Sequence, residues 1–478
     1  MIPTYLQWAI PIAVVLLHVA GLACAVEAVV SARTPQGSLA WALSLVTFPY
    51  VSVPLYLVFG RSEFEGYVAA QRAAGRQGRE QLTELIKDAH KFGAHVAGDR
   101  VLDLTVFEKL AILPCLGGNA ARLLIDGQAT FAAIFEAIRR AKSYVLVQAF
   151  ILHDDRIGGE LKELLLAKRR EGVRVFVLFD EIGSRALPRK WKEGLRAAGA
   201  EVFPFGATKG RGNPFQLNFR SHRKIVVVDG REAFVGGHNV GDEYLGRNPR
   251  FGHWRDTHIG VRGPAVQAVQ LSFVMDWYWA TRTLPEMEWR PEAADGDLAL
   301  LLIPTGPADS DNHCEMMFMH AAHIARQRLW ITSPYFVPSP AVFEALRLAA
   351  LRGVDVRVVL PKKPDHILVY LAAFQYIPQV RQAGVRVYRY TRGFLHQKVM
   401  LIDDDVAAVG TANLDNRSLR LNFELTMWCV DAGFAAEVER MLAADLADSS
   451  LVENDELLDR GFLFRAASKV ARLMDPIL

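Results

Sequence analysis

The pattern His-x-Lys-x4-Asp occurs twice in this chain, and the repeat constrains the fold more than any other feature. The first copy is His222-Arg223-Lys224, four apolar residues and Asp229; the second is His396-Gln397-Lys398, four residues and Asp403. Each is trailed by a glycine and asparagine signal, Gly236-Gly237-His238-Asn239 and Gly410-Thr411-Ala412-Asn413. His222 and His396 are 174 residues apart, and so are Asn239 and Asn413. Two signals matching at one offset predict two halves that build a single site, with one histidine from each.

The surrounding pattern repeats as well. Tyr144-Val145-Leu146-Val147 reads as a buried strand, Glu160 to Arg170 as a helix ended by Gly172, and Val173 to Phe179 as a second strand. Leu329 to Thr332, Phe343 to Leu351 and Gly353 to Leu360 follow the same order. Ala198 to Phe203 then matches Ala383 to Tyr388, before each half reaches its histidine motif. Ile225 to Val228 and Val399 to Ile402 are apolar runs of strand length. A repeat of about 180 residues is too long for a solenoid. The expected fold is α/β, with homologous domains over 119–290 and 296–478 packed as a pseudo-dimer and a junction near Arg290 to Asp297.

Before these domains the chain is strongly apolar. Tyr5 to Val26 and Ser38 to Gly60 contain no Asp, Glu, Lys or Arg. As helices of about 33 Å each could cross a hydrocarbon core of about 30 Å, so residues 1–60 read as two transmembrane helices. Pro49 and Pro54 imply a kink in the second. No basic residue precedes the first, which argues against a signal peptide. The connecting loop carries only Arg33, whereas Arg61, Arg72, Arg76 and Arg79 follow the second segment. The positive-inside rule then puts the C-terminal domains in the cytoplasm. Residues 61–118 read as a connector, polar and helix-prone from Gln71 to about Asp99, lying near the membrane surface. Asp276-Trp277-Tyr278-Trp279-Ala280 suits either a core or a membrane interface. Phe462 to Arg465, with Lys469 and Arg472, suits either a packed terminal helix or a basic amphipathic helix on anionic lipid.

Alternation in a strand puts His222 beside Lys224 and His396 beside Lys398, with Arg223 and Gln397 facing away. Histidine next to an ammonium is a poor metal site but a good anion site. The histidine offers a nucleophile or proton carrier near neutral pH, the lysine a charge for phosphate, and Asn239 or Asn413 an amide donor. The glycines beside each asparagine would bring backbone close to a ligand. The four cysteines form no CxxC pair, and the formal charge of +3 implies no nucleic-acid partner.

The twin motifs with their downstream asparagines resemble the signature of the phospholipase D superfamily from about Asn119 onward. Gly236 to Tyr244, Trp254-Arg255-Asp256-Thr257, Thr332 to Pro338, the ending Ala471 to Leu478 and the N-terminal apolar pair look more specifically like bacterial cardiolipin synthases. His238 is a small departure.

That resemblance implies a set of roles. The catalytic set is His222, Lys224, Asp229, His396, Lys398 and Asp403, with Asp229 and Asp403 closing the motif turns. His222 is the expected nucleophile, forming a phosphohistidine, and His396 the acid and base. Lys224, Asn239, Lys398 and Asn413 would hold phosphoryl oxygens, with no metal or other cofactor. The expected orienting carboxylates are Asp256, 34 residues after His222, and Glu424, 28 residues after His396. The implied reaction moves a phosphatidyl group between two phosphatidylglycerols in a bacterial inner membrane, giving cardiolipin and glycerol. A phospholipase D acting on other lipids is the alternative. A nuclease fits the apolar segments poorly, and a non-catalytic scaffold fits the intact motifs poorly. The repeat supplies both histidines, so the sequence leaves the oligomeric state open.

Overall fold

The runs of β-branched residues around both motifs are apolar on every side, as expected for strands buried on both faces. In the computed structural model, which describes residues 4–31, 35–60, 64–94, 100–206, 218–453 and 456–478, they lie in one 16-stranded mixed sheet. Its order is mirrored about the centre. Outward through the first half run Leu116–Ile125, Thr257–Arg262, Glu232–Gly236, Ile225–Val228, Tyr144–Ala149, Arg174–Phe179 and Glu201–Pro204. Outward through the second run Leu298–Thr305, Asn422–Val430, Val406–Gly410, Val399–Ile402, Arg328–Thr332, Asp355–Pro361 and Arg386–Tyr390, with Ser449–Leu451 at the edge. Leu116–Ile125 pairs antiparallel with Leu298–Thr305 at the join, with Leu116 opposite Leu300. This strand, Leu116–Ile125, begins three residues before the expected boundary at 119.

Side-chain alternation sorts the strands into layers. Leu146, Ile225, Val227, Leu401 and Leu425 enter a core shared by both halves, with helix Val266–Thr281 at its centre. Val145, Val147, Val226 and Val228 face an outer core of the first half; Ile331, Met400 and Ile402 face that of the second. Trp277 is fully buried against Phe176, Phe203 and Phe273, and Trp279 packs on Phe64. The aromatic run at 276–280 is thus core, and burying such side chains contributes roughly 1.5–3 kcal/mol each.

The connector belongs to the catalytic body. Phe64, Tyr67, Ala70 and Ala74 are buried in the shared core, at and along helix Glu65–Gln77. The Tyr67 hydroxyl donates to the Asp276 carboxylate. Helix Arg100–Leu110 covers the second half, its Phe107 ring stacked on Trp428 at 4.3 Å.

Helix Thr4–Ser31 contains the one stretch among the described residues, Trp8–Val30, long and apolar enough to cross a membrane. The second apolar segment is not a single helix. It breaks at Phe48 into Pro35–Thr47 and Pro49–Phe59, because a proline at the start of the later helix has no N–H to continue the earlier one. Both pieces pack on the first helix through Ala25, Ala28, Leu45, Val53 and Tyr56. Arg33 and Arg61, used in the charge count, lie outside the described residues, as do positions 95–99. At the other end, helix Phe462–Arg472 buries Ser468 and Ala471 against helix Ile367–Ala373 and exposes Phe462, Leu463 and Val470.

Candidate active site

Each motif begins where the chain enters its strand from the opposite half. The His222 N–H donates to the Phe423 carbonyl at 2.9 Å, and the His396 N–H donates to the Arg255 carbonyl at 2.8 Å. Arg220–Ser221 runs parallel to Asn422–Phe423, and Gly393–Leu395 runs parallel to His253–Arg255. Each histidine is therefore stitched to the half that does not contain it. Both are buried at the junction, each 7% exposed.

The orienting carboxylates follow the same crossing. His222 Nδ1 lies 2.9 Å from Glu424 Oε2, and His396 Nδ1 lies 2.8 Å from Asp256 Oδ2. Counting along the chain assigns Asp256 to His222 and Glu424 to His396; the fold reverses that assignment. A carboxylate accepting from Nδ1–H fixes the tautomer and leaves Nε2 with its lone pair. Glu424 also accepts from Thr411 Oγ1 at 2.6 Å, Ser418 Oγ at 2.7 Å and Asn422 Nδ2 at 3.2 Å. Thr411 sits inside the second glycine and asparagine signal, yet its role appears only once Glu424 is placed.

Burial sets the charge states. Desolvation pushes His222 down to about 4, against the pull of Glu424, and Lys224 adds to the depression. Burial, followed by Lys398, drives His396 well below its usual range. Burial raises Glu424, but the His222 charge and hydrogen bond, with Lys224 and Thr411, outweigh it and leave a carboxylate. Desolvation lowers Lys224 to about 7, with the Lys398 ammonium adding to the depression, and lowers Lys398 to about 8. Two cations that feel each other beside two neutral histidines form a site waiting for an anion.

The remaining expected residues divide. Lys224 Nζ donates to the His222 carbonyl at 2.7 Å, and Lys398 Nζ donates to the His396 carbonyl. Asn239 donates to the Tyr244 hydroxyl at 3.0 Å, and its oxygen accepts from the Ile151 N–H at 3.1 Å. The Asn413 side-chain oxygen is buried without a hydrogen-bond partner among the described residues. Asp229 and Asp403 lie at the far ends of their strands from the histidines. Asp229 accepts from the N–H groups of Lys142, Ser143 and Tyr144 at 2.8–2.9 Å, and Asp403 from those of Arg326, Gln327 and Arg328. They hold turns at φ of 51° and 50° through these backbone hydrogen bonds, the turn-closing role their place in the motif implies. The role of the glycines is corrected. A Cβ on Gly237 would stand 1.9 Å from Asp256 Oδ1, and one on Gly410 2.5 Å from the Leu425 carbonyl oxygen. They allow close approach of neighbouring strands rather than of a ligand.

Arg223, which the alternation turns away from the site, anchors it from behind. Its guanidinium donates to Asp276 at 2.8 Å, to the Glu424 carbonyl at 3.0 Å and to the Thr305 carbonyl at 3.2 Å. Asp276 also accepts from Gln148 at 2.7 Å. In the second half Gln397 donates to Asp445 at 2.7 Å, and Asp445 pairs with Arg255 at 2.6 Å. His238 Nδ1 meets His258 Nδ1 at 3.0 Å, behind Asp256. Among the described residues no group of three or more His, Cys, Asp and Glu could hold a metal ion.

Residues 134–250 and 318–446, the two stretches that supply both motifs, match the family model described as cardiolipin synthase, phospholipase D-like domain. The chain belongs to the cardiolipin synthase family. Residues 12–61 match the family model described as phospholipase D-nuclease N-terminal. Cardiolipin synthase A from one Pseudomonas fluorescens strain is 49% identical, over 97% of this chain and 98% of that relative. The protein of the same name from a second strain is 50% identical, over 97% of both. A phosphatidylserine synthase from Haemophilus influenzae superposes with a TM-score of 0.58 at 17% identity, over 79% of this chain and all of the other. That likeness shows the shared fold. Membership in the cardiolipin synthase family makes this chain a phospholipid phosphatidyltransferase.

Proposed function

We propose that this cardiolipin synthase joins two phosphatidylglycerol molecules and releases one glycerol through a phosphohistidine on His222. Nε2 of His222 attacks the donor phosphorus, a P–N bond forms, and the bond to the glycerol oxygen breaks. The bound phosphate anion favours a protonated His396, whose Nε2–H then gives that oxygen its proton. The hydroxyl of a second phosphatidylglycerol then attacks the same phosphorus, His396 takes the proton, and the P–N bond breaks. Lys224, Lys398, Asn239 and Asn413 hold the phosphoryl oxygens as negative charge concentrates on them.

The carrying observation is the pair of buried carboxylates on Nδ1 of His222 and His396, which leaves both Nε2 atoms free to react. Burial of the site favours transfer to an alcohol over loss to water.

The chain would cross a bacterial cytoplasmic membrane twice, by helix Thr4–Ser31 and by the broken pair Pro35–Thr47 and Pro49–Phe59, with the catalytic body on the cytoplasmic side. Exposed Trp8, Val15, Leu16, Leu39 and Tyr50 support lipid contact by these helices. Exposed Phe462, Leu463 and Val470 beside Lys469 and Arg472 support contact of the terminal helix with an anionic surface.

Incubation of the full-length protein with labelled phosphatidylglycerol vesicles tests the reading. Cardiolipin and glycerol in equal amounts are expected. Phosphatidic acid as the main product would move the function to hydrolysis.

A further inference from the structure

The catalytic centre is nearly two-fold symmetric, and two arginines break that symmetry on one side. Two residues before the motif histidines stand Arg220 in the first half and Phe394 in the second. Four residues after the asparagines stand Glu243 in the first half and Arg417 in the second. Phe394 packs on Trp254 and Phe251, so its side of the site is apolar where the other is cationic.

Arg220 faces the same way as the catalytic side chains. In the extended run from 220 to 224, Ser221 accepts from Gln148 at 2.8 Å and Arg223 pairs with Asp276, so these two point into the shared core. Alternation turns Arg220, His222 and Lys224 the other way. Arg220 is buried, 7% exposed, and Nη1 donates to the neighbouring Phe219 carbonyl at 2.8 Å. Arg417 donates to the carbonyls of Asn218 at 2.8 Å and Ile477 at 3.1 Å. Neither guanidinium has a carboxylate within ion-pair distance among the described residues. Asp180, whose field both feel, spends its oxygens on the N–H groups of Ile182, Gly183 and Ser221. Glu424 is committed to His222, Thr411, Ser418 and Asn422, and Asp415 to the Ser418 N–H.

Arg220 is buried and Arg417 partly so; they feel the carboxylates of Asp180, Glu181, Asp415 and Glu424 only at a distance, and a ligand anion would give them the direct anionic partner that they lack among the described residues. The position limits the ligand. Asn218, which receives Arg417, donates its side-chain amide to the Phe59 carbonyl at 3.0 Å, at the end of the apolar N-terminal segment. The arginines thus stand where that segment meets the catalytic body. Both substrates of the proposed reaction carry a phosphodiester, and the histidine centre has room in its mechanism for only one.

We propose that Arg220 and Arg417 form a second phosphate subsite, which holds the phosphodiester of the acceptor phosphatidylglycerol while the donor phosphate occupies the histidine centre. The inference rests on the transfer reaction above. It adds that the acceptor is selected by its own phosphate, which a guanidinium matches with paired N–H donors. The hydroxyl of the held acceptor attacks the phosphohistidine phosphorus, its proton passes to His396, and the P–N bond to His222 breaks. The product then spans both subsites with its two phosphates.

Two reactions of the full-length protein in phosphatidylglycerol vesicles separate the subsites. Exchange of labelled free glycerol into phosphatidylglycerol involves one phosphate, whereas cardiolipin formation involves two. In Arg220→Gln and Arg417→Gln the ratio of cardiolipin formation to glycerol exchange should fall about tenfold. Arg220→Lys should recover part of it. Remaining exchange reports that the variants are folded. A ratio unchanged from wild type in both Gln variants, whether the two rates fall together or stay, overturns the subsite. A wild-type protein that yields phosphatidic acid and no cardiolipin overturns instead the reaction on which the subsite rests.

Discussion

Nδ1 of His222 is hydrogen-bonded to the carboxylate of Glu424, 202 residues away in the other half of the molecule. Asp256 serves His396 across 140 residues in the same manner. Each reacting histidine is therefore poised only when the two halves are docked. Neutralising either carboxylate should remove the charge that steadies the imidazolium, and Glu424→Gln and Asp256→Asn should each lower kcat about 100-fold or more. Double-mutant cycles on thermal stability check the crossing itself. His222 with Glu424, and His396 with Asp256, should couple by about 0.5–3 kcal/mol, while His222 with Asp256 should be near additive. Coupling within a half instead would contradict the crossed geometry.

Gly237 should be as sensitive as the residue it touches. A methyl group there meets Asp256 Oδ1 at 1.9 Å, so the carboxylate must move away from His396. Displacement by about 1 Å is enough to cost roughly 100-fold in rate. Gly237→Ala should thus resemble Asp256→Asn in activity while keeping its fold. Gly75→Ala, whose added methyl meets open space, should leave the rate near wild type.

The local part of this architecture is legible in the sequence. Ile225–Val228 and Val399–Ile402 form strands with the bounds that their apolar runs predict, because four apolar, mostly branched residues between polar ends leave little choice. The mirrored order of the halves follows from the repeat. The crossing does not, since distance along the chain favours Asp256 for His222 and only tertiary pairing of Arg220–Ser221 with Asn422–Phe423 reverses it. Arg223 shows the same limit. Alternation says that it leaves the site, but its partner Asp276 lies 53 residues on, inside an aromatic run that suits either a core or a membrane interface. Tyr67 reaches that carboxylate across 209 residues, which turns an expected connector into part of the core.

Stability should follow these buried contacts rather than the motif letters. Removing the Asp276 carboxylate leaves Arg223 charged and buried, and Asp276→Ala should cost about 3–5 kcal/mol. Asp229→Ala and Asp403→Ala each free three backbone N–H groups at a turn and should cost about 1–3 kcal/mol apiece. Denaturant melts of the detergent-solubilised protein give the ranking. If the Asp403 variant lost all activity at full stability, its role would be chemical rather than architectural.

The charge states predict the shape of the pH profile. In the free enzyme the lysines must be protonated to bind phosphate, and His222 must be neutral to attack. Burial puts Lys224 at about 7 and Lys398 at about 8, so their charge is present below these values and lost as pH rises through them. Burial puts His222 at about 4, so its lone pair is present above that value and lost as pH falls through it. kcat/KM, which reports the free enzyme, should therefore have an acid limb near 4, decline above the depressed pKa of His396, whose proton the first step needs, and steepen from about 7 to 8 as the lysines lose their charge. The limbs belong to the coupled set of groups rather than to single residues. A bound phosphate stabilises both ammonium groups, so the alkaline limb of kcat should move to higher pH. Lys224→Arg keeps its charge throughout this range, and its kcat/KM should lose the portion of the alkaline limb near 7 whatever its absolute rate. A wild-type kcat/KM that stays level from pH 6 to 9 would exclude lysine protonation as the control of phosphate binding.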